Sequence, residues 1–119
     1  MKYLLLIYSN ENVMATMGES ERGQVMGKYM AYSSSIKKSG NYIGGEALQP
    51  TATATTVRVR EGKTLSTDGP FAETREQLGG FYFVEAKDLD EAISLAARIP
   101  SAVHGSIEVR PIMPTPPVE

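Results

Sequence analysis

A chain of 119 residues has room for one domain of the usual roughly 100–200 residues, and its 41% hydrophobic content excludes wholesale disorder. Twelve Lys and Arg against fourteen Asp and Glu leave a net charge of −2, with no basic stripe of the kind that grips a phosphate backbone, so nucleic acid is not an expected partner. With no Cys and one His, disulfides, iron–sulfur clusters, thiolate-held zinc and an all-histidine metal centre from one chain are excluded as well.

Lys2 to Tyr8 is the first predicted strand, and it is apolar on both faces, with Tyr3, Leu5 and Ile7 pointing one way and Leu4, Leu6 and Tyr8 the other. This run is far shorter than a signal peptide or the about 20 residues of a membrane span, so a cytoplasmic protein with no membrane partner is expected. Ser9 to Gly18 reads as a loop. Glu19 to Lys38 then carries Val25, Met26, Tyr29, Met30, Tyr32 and Ile36 at helical spacing, with Lys37 and Lys38 at the negative end of the dipole and Gly40 as the stop. Tyr29 and Tyr32 are assigned to the core, and the six Met to gap-filling.

Tyr42 to Leu48 is predicted as a second strand kinked at Gly44-Gly45, followed by Pro50 and a Thr/Ala run with no assigned structure. Val57 to Arg60 alternates apolar with charged, Glu61-Gly62-Lys63 turns, and Thr64 to Thr67 returns, which is a hairpin. Gly79-Gly80 opens a central strand from Phe81 to Ala86; both glycine pairs are read as bulges, since neither fits a nucleotide-binding pattern. Asp88 caps a second helix, with Glu91 as the reciprocal acid of a capping box, a stripe of Leu89, Ala92, Ile93, Ala96 and Ile99, and Pro100 as its end. Ser106 to Ile112 is the last strand. Residues 1–113 form one domain and 114–119 an irregular tail.

This order is a split βαβ pattern with an extra hairpin, a ferredoxin-like α+β fold. Both helices belong to right-handed crossovers and fall on one face of the sheet, leaving the other bare. A first strand apolar on both sides then calls for a cover, and the expected one is a second copy stacked sheet to sheet, with a ligand cleft near the contact. The alternative is a monomer in which the tail or the 49–56 segment folds over the sheet.

The densest polar stretch is TDGPFAETREQLGGF, Thr67 to Phe81. Asp68-Gly69-Pro70 makes a stiff turn that holds a carboxylate in place, and Thr74 with Gln77 can cap a short helical turn. The acids Glu73 and Glu76 lack a calcium-loop spacing, so no metal is expected. His104 is the one side chain that ordinarily titrates near neutrality; as a general base it would need an orienting carboxylate, for which Asp68 is the candidate. Arg110 is either an ion-pair partner on the last strand or a clamp for a ligand carboxylate with Tyr82 as its aromatic neighbour, and Phe71 and Glu73 complete the substrate-binding candidates.

These blocks, TDGPFAETREQLGGF together with GGEALQP at 44–50 and HGSIEVRPI at 104–112, resemble the DGPF branch of the YCII-related family in order and spacing over nearly the whole chain. The resemblance implies a homodimeric α+β barrel of ferredoxin-like type and a small bacterial protein of a largely uncharacterised group. It also implies proton-transfer or elimination chemistry by an Asp and a His in a cleft, carried here onto Asp68 and His104. Some relatives are joined to, or encoded beside, sigma factors. The function expected is a cofactor-free enzyme or ligand-binding protein acting on a small aromatic or carboxylated molecule. The alternative is a non-catalytic regulatory or ligand-sensing module working with a protein partner such as a sigma factor.

Overall fold

The computed structural model describes residues 1–118. Its strands are β1 (Lys2–Ser9), β2 (Tyr42–Ala47), β3 (Thr55–Arg60), β4 (Lys63–Asp68), β5 (Gln77–Glu85) and β6 (Ser106–Pro111). Its helices are α1 (Glu11–Ala15), α2 (Glu19–Lys38) and α3 (Leu89–Ala97), with short 3₁₀ turns at Thr51–Thr53 and Pro100–Val103. Four strands form an antiparallel sheet in the order β2-β5-β1-β6, and β3 pairs only with β4. That strand order is the one expected of a ferredoxin-like α+β fold. The sheet is open, with β2 and β6 as its edges, so no barrel closes among the described residues.

Alternation along β1 divides the sheet. Tyr3, Leu5 and Ile7 join Tyr82 and Val84 of β5, Tyr32 and Ile36 of α2, and Ala92, Leu95 and Ala96 of α3 in one buried core. Leu4, Leu6 and Tyr8 point the other way and are only half-buried. Both long helices lie on the first face, as the handedness of the crossovers requires.

The helix stripes differ from expectation in register. In α3 the buried set is Ala92, Leu95 and Ala96, continued by Ile99, while Leu89 and Ile93 are exposed. A spacing of three, four and seven residues from Ala92 selects this set, so Leu95 is buried and Ile93, a side chain of the same size, is not. Asp88 accepts the Glu91 N–H at 2.9 Å, and Glu91 answers by accepting from the Lys87 N–H and the Asn41 amide. The reciprocal acid therefore closes on the residue before the cap. In α2 only Tyr32 and Ile36 are buried, and Met26 and Met30 stand in solvent rather than filling gaps.

Three local features were not visible as period. Asn10 accepts the Asn12 N–H and starts α1, a five-residue helix within the stretch read as loop. Thr74 and Gln77 do not cap a helical turn: the Thr74 hydroxyl donates to the Glu76 carbonyl and the Gln77 amide to the Thr74 carbonyl, so the segment stays irregular and β5 starts at Gln77, earlier than Gly79. The Thr/Ala run forms the 3₁₀ turn at Thr51–Thr53. Both glycine pairs do sit at register shifts, one opposite Ile7 and Tyr8 and one between Tyr42 and Gly44. The β3–β4 hairpin closes through Glu61 and Gly62 with φ of 53° and 76°, the left-handed pair that a two-residue turn needs. No helix among the described residues is long and apolar enough to cross a membrane.

Candidate functional site

A cleft of about 950 Å³ lies between α2 and the β2–β5 edge of the sheet, with α1 at one end. Arg22, Met26, Tyr29, Ser33 and Lys37 recur every three or four residues and form its helical wall. Tyr82 of β5 and Gly45 of β2 lie on its sheet side, and Tyr42 lines it beside Lys37. A Cβ on Gly45 would sit 2.8 Å from the Phe81 carbonyl oxygen and 3.0 Å from Cδ1 of Tyr82, so only glycine lets β2 lie this close to the ring.

The aromatic side chains are fixed by each other and by hydroxyl pairs. Tyr82 meets Tyr32 edge-on with centroids 5.1 Å apart and Tyr42 at 6.4 Å. Its hydroxyl pairs with that of Ser33 at 2.7 Å, and the Tyr29 hydroxyl with that of Ser101, from the second 3₁₀ turn, at 2.5 Å. Burial pushes the Tyr82 phenol above its ordinary pKa, with the Ser33 hydrogen bond acting in the opposite direction. A neutral phenol both donates and accepts, so the sheet side of the cleft offers neutral hydrogen-bonding groups.

Charged groups of both signs line the cleft. Arg22 donates through Nη2 to the carbonyls of Met14 and Ala15, at 3.3 and 3.2 Å, which holds α1 across one end of the cleft. Its Nε and Nη1 hydrogens have no acceptor among the described residues. The Lys37 ammonium lies 4.8 Å from the centre of the Tyr42 ring. Glu11 and Glu46 also line the cleft; Glu11 accepts the Thr51 N–H and hydroxyl at 2.8 Å each, while its own N–H donates to the Gln77 side chain.

Of the candidates read from the sequence, Tyr82 alone lines this cleft. Asp68 ends β4 at the foot of the hairpin and is exposed, its turn held by the Gly69 N–H on the Ala54 carbonyl and the Thr56 hydroxyl on the Gly69 carbonyl. Phe71 is 81% exposed, and Glu73 is exposed in the irregular stretch beyond it. His104 is an exposed residue ending the second 3₁₀ turn, with its N–H on the Ser101 carbonyl. No hydrogen bond or ion pair joins Asp68 to His104 among the described residues. Arg110 pairs across from Leu4 on the face without helices, 3.8 Å from Glu108 of its own strand. Tyr82 pairs with Leu5 on the helix-covered face, so it is not the aromatic neighbour of Arg110; strand alternation sends the two to opposite sides.

Sequence reading missed Arg22, Ser33, Lys37 and Ser101; Tyr29, assigned to the core, does pack against it and lines the cleft as well. The signal available was the second stripe of α2, where hydroxyl and cationic side chains repeat at helical spacing beside the apolar one. Among the described residues no group of three or more His, Asp or Glu could hold a metal ion.

Comparison with known proteins agrees with the architecture. The model of the YCII-related domain matches residues 1–116. An uncharacterised protein of Rhizobium meliloti (strain 1021) is 39% identical over 114 residues, which cover 94% of this chain and 92% of that one. The strand order, the helix-covered sheet and this end-to-end match place the chain in the YCII-related family.

Proposed function

We propose that this domain binds a small aromatic or carboxylated molecule in the cleft between α2 and the β2 edge, and that it does so as a homodimer stacked through the faces without helices. The observation that carries the binding reading is the cleft itself: its 950 Å³ is of the size that takes a small ligand, of roughly 300–1,000 Å³. Tyr29, Tyr42 and Tyr82 offer flat apolar surface, the hydroxyls offer hydrogen bonds, and Arg22 and Lys37 offer countercharge to a carboxylate. The chain's one histidine lies outside this lining, which favours recognition over proton transfer as the work of the cleft.

Titration of ¹⁵N-labelled protein with phenylacetate and with benzoate tests the reading. Amide shifts are expected at Ser33, Gly45, Tyr82 and Ser101, and Arg22→Gln is expected to weaken binding about tenfold, the worth of one hydrogen bond to a charged group. Shifts clustered around His104 and Asp68 instead, or none in the cleft, would overturn it.

A further inference from the structure

The β3–β4 hairpin is patterned for burial yet covers nothing in its own protomer. Directly opposed residues share a face, so Val57 and Val59 lie with Thr64 and Ser66 on one side, which ends at the hairpin's foot in Thr55 and Asp68, while Arg58, Arg60 and Lys63 lie with Leu65 on the other. Alternation of this kind marks a ribbon with one packed and one solvated side. Nevertheless Val57 and Val59 are each 60% exposed. An isolated two-stranded hairpin is marginally stable at best in water, so an ordered one needs a surface to lie on.

The sheet has the opposite deficit. Its helix-free face carries the cross-strand pairs Leu4–Phe83 and Leu6–Phe81 in a central ladder, bordered by Glu108 and Arg110 on β6 and Glu46 on β2. An apolar centre with a polar rim is the layout of an interface. Protomer shape agrees: its radius of gyration is 16.5 Å, against about 13.5 Å for a closed domain of this length.

We infer that the hairpin is an exchange arm that lays its Val57–Val59 side on the sheet face of a second copy of this chain. The inference rests on the sheet-to-sheet homodimer proposed above and adds what seals it. Area favours this occupant. Strands of six, nine, eight and six residues at about 4.8 Å spacing present about 460 Å² in projection, at the low end of what a standard interface asks of each partner, which buries roughly 600–1,000 Å² of accessible surface. A hairpin side of about 200 Å² brings the contact within that range. A twofold axis also meets both deficits at once, because each protomer then sends one arm and receives one.

Sedimentation equilibrium of the full chain and of the Val57→Asp/Val59→Asp variant reads the effect on association. Both positions are exposed in the protomer, so the variant should keep the wild-type circular dichroism while its dimer dissociation constant rises at least tenfold. Contact is read in a mixed sample, with a spin label on Lys63→Cys of one protomer and ¹⁵N on an unlabelled partner; broadening is expected at the partner's β1 and β5 amides. A dimer whose affinity survives the variant and whose partner sheet is not broadened would sink the arm while leaving the dimer standing. A wild-type chain that stays monomeric at all concentrations overturns the dimer and the arm with it, whereas cleft binding is unaffected by either result.

Discussion

The two faces of the sheet are built from the same strands and nearly the same residues, and they end in different environments. On one, Tyr3, Leu5, Ile7 and Val84 are sealed under α2 and α3. On the other, Leu4, Leu6, Phe81 and Phe83 have only strand neighbours around them and remain half-buried. Residue type does not decide this; the handedness of the two crossovers does, because it sends both helices to one side. Even the covered face is not covered evenly. The fully buried residues of α2, Tyr32 and Ile36, form one stripe, while the neighbouring stripe from Arg22 to Lys37 lines the cleft along the length of the helix.

The sharpest way to break this comparison is to cut equal side chains on the two faces. Leu5→Ala leaves a cavity in a fully buried site and should cost about 2–5 kcal/mol in urea denaturation, whatever the protein concentration. Leu6→Ala in dilute protein should cost less than half as much, about 1 kcal/mol, because the side chain is already partly in water. Its cost should grow with concentration if a second copy covers that face. Equal losses in dilute protein would mean that the protomer seals both faces itself.

A glycine pair offers the same contrast at smaller scale. Gly45 pairs with Tyr82 on the covered face and Gly44 with Phe83 on the free one. A methyl group at Gly45 meets backbone at 2.8 Å, whereas at Gly44 nothing lies within 4 Å. Thermal melts should therefore show Gly45→Ala losing about 1–3 kcal/mol and Gly44→Ala staying within about 0.5 kcal/mol. A neutral Gly45→Ala would mean that β2 can move off the tyrosine, and with it the wall of the cleft.

How much of this could be read beforehand follows from the range over which each signal acts. The strands, both long helices and the hairpin were legible because period and turn residues are local: Val57 to Arg60, Glu61-Gly62 and Thr64 to Thr67 state their fold within a few residues. The bare face was legible too, since Leu4, Leu6 and Tyr8 alternate with Tyr3, Leu5 and Ile7 in one short run. The cleft was not, because it depends on how far α2 stands from β2, a distance no local pattern encodes. Tyr29 was legible as a core neighbour from its spacing to Tyr32 and Ile36, and it packs there, but its hydroxyl bond to Ser101, 72 residues away in sequence, was not. Conspicuous turn chemistry drew attention to Asp68 and Phe71 instead, and turn chemistry reports backbone need rather than the position of a pocket.

The smallest expected effect concerns the seam where the sealed face meets the cleft. Tyr32 is buried there, its hydroxyl donating to the Leu95 carbonyl at 2.7 Å, and burial pushes its phenol far above the ordinary value, with Tyr82 adding to the shift and Arg98 opposing it. Below pH 10 the phenol is neutral in both folded and unfolded chains and adds no pH dependence. Above it the unfolded chain releases this proton and the folded one retains it, so stability falls as pH rises, by about 1 kcal/mol between pH 10 and 11. Tyr32→Phe forfeits the hydrogen bond, about 1 kcal/mol at pH 8, but also removes the proton that the fold holds back. Urea titrations at pH 8, 10 and 11 should show the wild-type advantage shrinking and vanishing near pH 11. An advantage that stays constant would show that the phenol ionises as readily in the fold as out of it, and that the tyrosine layer beneath the cleft is open to water.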